Sequence, residues 1–271
     1  VKYEFWVNYL LAMKRAGTKL YLISSIFRDG QIFFRPYGGL FRSALRAFRH
    51  IFVQNDSSRN LLKSIGIEQV SVAGDTRFDR VYEIAQQAKR LPEIERFAAD
   101  APVFIAGSTW PPDEELLVGL IERYPDVKFI VAPHEIDPAR IEKFCERISR
   151  PALRYTQLTP QSDLAAAGVL FVDTIGILSS VYRYGRWGYI GGGFGAGIHN
   201  TLEAATFGLP LAFGPRYGKF REARDLVTLR GAASIASAEE LERWFAGLHD
   251  DPDATGRSGT ICKEYVLQHK G

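Results

Sequence analysis

Cysteine is scarce: Cys145 and Cys262 stand far apart, with no spacing that suits a metal. That favours two buried or inert thiols in a reducing compartment over a single disulfide. His50, His134, His199, His249 and His269 contain no His–x–x–x–His pair, so no protein metal site is expected. No apolar run approaches bilayer length, and no signal peptide is visible. The formal charge is only +3, so whole-molecule charge does not point to nucleic acid. Solenoid repeats and low-complexity segments are missing as well. With 46% hydrophobic and 24% charged residues, disorder is excluded, and 271 residues allow two ordinary domains or one large one. The chain opens at Val1 on "VKYEFWVNYL", an aromatic and charged run leading into a helix, as expected of a sequence that begins inside a domain.

Short β-rich runs alternate with helical patterns, the signature of an α/β fold with parallel sheets. "KLYLIS" (19–24), "HIFVQ" (50–54) and "QVSVAG" (69–74) read as strands, and "DSSRNLLKSIG" as a helix capped by Asp56 or Ser57. From Arg77 to Asp100 the chain is helical, polar and broken by Pro92, which suits a domain boundary. The division expected is residues 1–88 and 89–271, with the last helix returning to the first domain. "PVFIAGS", "VKFIVAP", "GVLFVD", "WGYIGGG" and "LPLAFG" are the strands of the second, Rossmann-like half, with helices between them. "DDPDATG" reads as a turn between two terminal helices, with "DPD" as helix capping.

Ligands of such folds bind where strand carboxyl ends lead into helices. Three loops there are unusual. "GSTWPPDEE" places Ser108 and Thr109 before a Pro-rich, acidic helix start, which is either a well-capped helix or a ligand loop. In "APHEIDPAR", His134 follows a strand directly and is either a satisfied structural residue or functional. In "GGGFGAGIHNTLEAATFGLPLAFGP", Gly191, Gly192 and Gly193 let the backbone approach a ligand. Helix N-terminal amides there suit a phosphate, and Glu203 suits a ribose diol. Glycines and amides for phosphate plus an acid for ribose is the division of labour in nucleotide sites.

That last stretch resembles the donor-site signature of bacterial 3-deoxy-D-manno-octulosonic acid (Kdo) transferases specific for lipid A. "VKYEFW", "FVQNDSSRNLLKSIGIEQVSVAGDTRFD", "GSTWPPDEE", "APHEIDPAR", "VDTIGILSSVY" and "GPRYGKFREARDL" follow in the family's order over nearly the whole chain. The resemblance implies a glycosyltransferase-B architecture of two Rossmann-like domains, the first incomplete here. It implies an inverting transfer of Kdo from CMP-Kdo to lipid A precursor (lipid IVA) for lipopolysaccharide, with no catalytic metal and no cofactor besides the donor substrate. Residues 89–271 would be the CMP-Kdo domain. By matching motifs, Ser108 and Thr109 lie near the donor phosphate, and Thr174, Ile175 and Gly176 contact the cytosine. Asn200 and Glu203 serve phosphate and ribose. His134 matches a Pro-Arg-His motif, but no Arg separates Pro133 from His134, which leaves Arg140 or Lys219 as substitutes.

The family's general base lies in a glycine-rich loop that no residue here matches, so the catalytic residue is unassigned. Glu4 belongs to the later "EFW" motif, as a contact to acceptor or donor. The chain as given is expected to bind donor nucleotide with little or no turnover. Between Lys14 and His50 eight bases face one acid, a net of +7, interleaved with aromatics. Arg28, Arg35, Arg42 and Arg46 either decorate a solvated face or meet lipid A phosphates and the anionic inner-membrane surface. The implied location is the cytoplasmic face of the inner membrane; no nucleic-acid motif supports RNA binding. The rival readings are a UDP-sugar transferase or epimerase of the same fold and a non-catalytic nucleotide- or lipid-binding module.

Overall fold

A computed structural model describes residues 5–270, so Glu4 lies outside the described residues. The chain divides into two compact units, one reaching Arg80 and including the chain end from His269, the other Val81–Gln268.

The first unit runs α1 (Val7–Arg15), β1 (Leu20–Ser25), α2 (Gly39–Leu45), β2 (Phe48–Val53), α3 (Asp56–Ser64) and β3 (Val70–Val72). Its three strands form a parallel sheet in the order β1-β2-β3. The cap of α3 is Asn55, one residue before the expected Asp56: its side chain accepts the Ser58 amide at 2.8 Å. Phe27, Phe33 and Phe48 from the basic segment are buried with Leu45, Ile51 and Leu62, whereas Tyr37 is 76% exposed. Arg42 does not reach outward. Its guanidinium donates to the carbonyls of Phe33, Arg35 and Pro36 and staples that loop. Arg46 donates to Ile65 O, while Arg28 and Arg35 are exposed.

Helix α4 (Thr76–Gln86) crosses from one unit to the other, followed by α5 (Pro92–Ala98), so the stretch around Pro92 is helical and broken as its composition indicates. The second unit continues with β4 (Val103–Thr109), α6 (Pro111–Arg123), β5 (Lys128–Pro133), α7 (Pro138–Cys145), β6 (Ala152–Arg154) and β7 (Val169–Phe171). Then come α8 (Leu178–Val181), β8 (Trp187–Ile190), α9 (Leu202–Thr206), β9 (Leu211–Phe213), α10 (Arg221–Thr228), β10 (Ala232–Ser234), α11 (Ala238–His249) and α12 (Pro252–His269). All pairings are parallel, in the order β10-β9-β8-β4-β5-β7-β6.

Central strands of a parallel sheet are covered on both faces and read as continuous apolar runs. Val103 to Ala106 and Phe129 to Val131 are such runs, each at 1% exposure or less. The edge strands β6 ("ALR") and β10 ("AAS") carry no such signal and escape sequence reading, because each is three residues made extended by one neighbour. "DDPDATG" is not a turn throughout. Helix α12 begins at Pro252, and Asp251 caps it by accepting the Ala254 amide at 2.9 Å. Cys145 and Cys262 are free, and burial pushes the Cys262 thiol up to about 12.

Strand β4 has β5 on one side and β8 on the other, with the order reversing between them. In an open α/β sheet that reversal opens a crevice at the strand carboxyl ends. The loops after β4, β5 and β8 are therefore neighbours, although they are far apart in sequence.

Candidate functional site

The site begins with a buried carboxylate. Asp113, in the first turn of α6, is fully buried. One oxygen accepts the Tyr189 hydroxyl at 2.6 Å; the other accepts the amides of Gly192 and Trp110, both at 2.9 Å. In the bond to Trp110 the acid at the third helical position caps the amide of the N-cap residue, whose indole, a donor only, makes no reciprocal bond. The other two tie the helix after β4 to the end of β8 and to its glycine loop. Burial, together with the Asp113 carboxylate, drives the Tyr189 phenol far above its ordinary range, so it stays a donor.

The glycines are required by crowding. A Cβ on Gly191 would lie 2.2 Å from the Ser108 carbonyl oxygen, and one on Gly193 2.5 Å from the Gly214 Cα. Both obstacles are backbone and cannot swing aside. Gly192 has φ of +92°, a left-handed conformation that favours glycine. Ser108 itself sits at φ +55° in a bulge at the end of β4, an uncommon conformation for a residue with a side chain.

Three rings cover this backbone junction. Trp110 stacks on His134 at 4.8 Å, and His134 stacks on His199 at 4.2 Å between centroids. The Trp110 indole N–H donates to His199 Nε2 at 3.0 Å. Burial lowers the His199 pKa, and the neighbouring His134 lowers it further against the opposing pull of Asp113. The His134 amide also donates to Thr109 O at 2.9 Å. Below the rings, Thr109 Oγ1 donates to Glu114 Oε1 at 3.0 Å, and Arg140 Nε lies 3.6 Å from Glu114 Oε2. Burial raises the Glu114 carboxyl, with Arg140 and Thr109 pulling the other way.

The structure thus brings Ser108, Thr109, His134, Gly192 and Gly193 to one junction. Asn200, on the same loop, and Glu203, in the first turn of α9, are joined to each other: Asn200 Nδ2 donates to Glu203 Oε1 at 2.9 Å. Asn200 Oδ1 takes the Leu202 amide at 3.1 Å, and α9 is a short helix of five residues starting at Leu202. Thr174, Ile175 and Gly176 follow β7, two strands from β4 or roughly 10 Å away. No hydrogen bond joins them to the ring cluster among the described residues. Ile175 is 89% exposed, and Gly176 has φ of +91°. Arg140 is engaged by Glu135 O at 2.7 Å as well as by Glu114, whereas Lys219 is exposed. In the sequence Asp113 reads only as a helix-dipole acid, and Trp110 and Tyr189 carry no legible role. The legible signal is an acid three residues after the cap position. Among the described residues, no group of three or more His, Cys, Asp or Glu side chains converges as a metal site would.

Asp173 anchors the loop after β7. Burial pushes its carboxyl up, but the Thr156 hydroxyl (2.6 Å) and amide (2.8 Å) and Arg154 (2.9 Å) together hold it below the usual range. A depressed folded-state value contributes stability above the ordinary carboxylate range, and that contribution disappears as pH falls through the folded value. Asp173→Ala is expected to cost about 1–3 kcal/mol at pH 7 and less in acid, measured by urea unfolding at several pH values. An equal cost at every pH would rule out the charged network.

Residues 1–80 match the family Glycos_transf_N, described as 3-deoxy-D-manno-octulosonic-acid transferase (kdotransferase). The 3-deoxy-D-manno-octulosonic acid transferase of Rickettsia bellii (strain RML369-C) is 26% identical over 210 residues, covering 75% of this chain and 49% of that protein. The chain is similar to Kdo transferases. It spans about half the length of the first curated relatives, between 43% and 49%. The Glycos_transf_N match ends at residue 80, where the main segment of the first unit ends. The C-terminal CMP-Kdo binding domain of WaaA from Acinetobacter baumannii shares the fold, with a TM-score of 0.57 and 22% identity over 70% of this chain and 99% of that one. A UDP-N-acetylglucosamine 2-epimerase described as putative, from Listeria monocytogenes, shares it over 97% of this chain and 69% of its own, with a TM-score of 0.63 and 12% identity. The α/β fold of glycosyltransferase-B type expected from the sequence is the fold observed, and the similarity to Kdo transferases expected from the sequence is found.

Proposed function

We propose that this protein belongs to an enzyme that transfers Kdo from CMP-Kdo to lipid A precursor, lipid IVA, inverting the anomeric carbon. Its second unit is the donor side. The observation that carries this reading is the junction at the sheet reversal, where Asp113 and the Trp110–His134–His199 rings draw three loops into one mouth. In this reading Ser108 meets the donor phosphate beside Gly192, while the buried Thr109, its hydroxyl given to Glu114, and Gly193, packed on Gly214, shape the loops behind it. Thr174, Ile175 and Gly176 take the cytosine, and Asn200 with Glu203 takes the ribose. His134 lines the same mouth. The acceptor hydroxyl, once deprotonated, attacks the Kdo anomeric carbon as CMP leaves, and hydrogen-bond donors at the mouth stabilise the departing phosphate. The base is not among the residues assigned here. No cofactor enters apart from the donor.

The exposed Arg28 and Arg35 suit an anionic surface, either the lipid A phosphates or the cytoplasmic face of the inner membrane. Among the described residues, no helix is long and apolar enough to cross a membrane. Glu203→Ala tests the donor site. Its removal takes the ribose partner and frees Asn200, so CMP binding measured by calorimetry is expected to weaken by about 1–3 kcal/mol, or roughly 5- to 150-fold, with an unchanged melting temperature. Unchanged affinity in a folded variant would take Glu203 out of the site.

A further inference from the structure

His199 is held in one protonation state by Trp110, 89 residues away in sequence. An indole nitrogen only donates, so the nitrogen that accepts from it carries no proton. The Trp110 Nε1–H to His199 Nε2 bond at 3.0 Å therefore places the imidazole proton on Nδ1. The two rings lie almost in one orientation, 9° apart, and His134 stacks against both. No described residue accepts a hydrogen bond from Nδ1. A half-buried imidazole with one nitrogen committed and the other N–H unclaimed, beside a glycine backbone at φ +92°, is a donor awaiting an acceptor.

We propose that Trp110 is a positioning residue whose indole N–H holds His199 as the neutral Nδ1–H tautomer, so that this N–H donates to an oxyanion ligand of the glycine loop. The ligand class is the phosphate of a nucleoside monophosphate, and that half rests on the donor-site reading above. The hold of Trp110 on His199 does not. The charged and titratable groups acting on His199 are consistent with a neutral ring. His134 from the loop after β5 opposes a positive charge, as does burial, while Asp113 from α6 favours one and is outweighed. A neutral donor binds an oxyanion without taking up a proton.

The test is ¹⁵N NMR of histidine-labelled protein, with the His199 signals assigned by their loss in His199→Gln. At pH 7 the wild type is expected to show Nδ1 protonated, Nε2 unprotonated, and a titration midpoint below that of a free imidazole. Trp110→Phe keeps a stacking ring without the N–H. There the Nε2-protonated form is expected to appear, with the midpoint rising by on the order of one pH unit. An Nε2–H or doubly protonated ring in the wild type would overturn the proposal whether or not Trp110→Phe folds, and so would an unchanged spectrum in a folded Trp110→Phe. Adding CMP should shift the Nδ1–H resonance. CMP that binds without moving it overturns the ligand half. If CMP does not bind while the tautomer is as described, the nucleotide reading and the ligand half fall together, and the hold of Trp110 on His199 stands.

Discussion

Asp113→Ala is expected to lower unfolding stability by about 3 kcal/mol or more, followed as the midpoint shift of the second unit in urea. The size comes from what is left behind. The substitution orphans the Tyr189 hydroxyl and the amides of Gly192 and Trp110, which Asp113 accepts at 2.6–2.9 Å. Tyr189 is fully buried, so no water replaces the lost acceptor cheaply. Each buried donor left without a partner costs about 1–3 kcal/mol. Asp113→Asn keeps one carbonyl acceptor and should lose less. A loss within about 0.5 kcal/mol for Asp113→Ala, the level of an ordinary surface change, would mean that the carboxylate does not organise the junction.

Gly191→Ala carries the second large effect. The added methyl would meet Ser108 O at 2.2 Å and Thr109 Cα at 2.7 Å. Backbone on both sides means that strand ends β4 and β8 must separate. Overpacking of this kind costs about 1–3 kcal/mol, and the separation also displaces Ser108 and Gly192. CMP affinity is expected to fall by more than about tenfold, since small misplacements of a binding group are costly. Gly195→Ala is the control. Gly195 is exposed, and its new methyl would sit 3.6 Å from Gly192 O, an ordinary contact. It should stay within about 0.5 kcal/mol of wild type. Equal behaviour of the two variants would remove the crowding argument.

These cases mark where sequence reading reaches and where it stops. Strands β4, β5 and β8 are legible because burial on both faces writes a continuous apolar run. Asp113 looks like a dipole acid because its two longest-range partners, Tyr189 and Gly192, lie 76 and 79 residues away. The glycine run reads as room for a ligand, yet at Gly191 and Gly193 the space is already filled by neighbouring backbone. Gly192 is crowded too, by Gly197 O at 2.5 Å, and adds a left-handed φ. Arg42 counts as one more base in a +7 segment, but its guanidinium is spent on three carbonyls, a contact that no local pattern announces.

The donor-site proposal makes the junction at the β4–β8 reversal a cytidine nucleotide site. Calorimetric titration of this chain with CMP, set beside UDP and ADP, decides it. CMP is expected to bind with at least about tenfold preference, or about 1.4 kcal/mol, over both of the others. A preference for UDP, or no binding of any nucleotide by the folded chain, would contradict it.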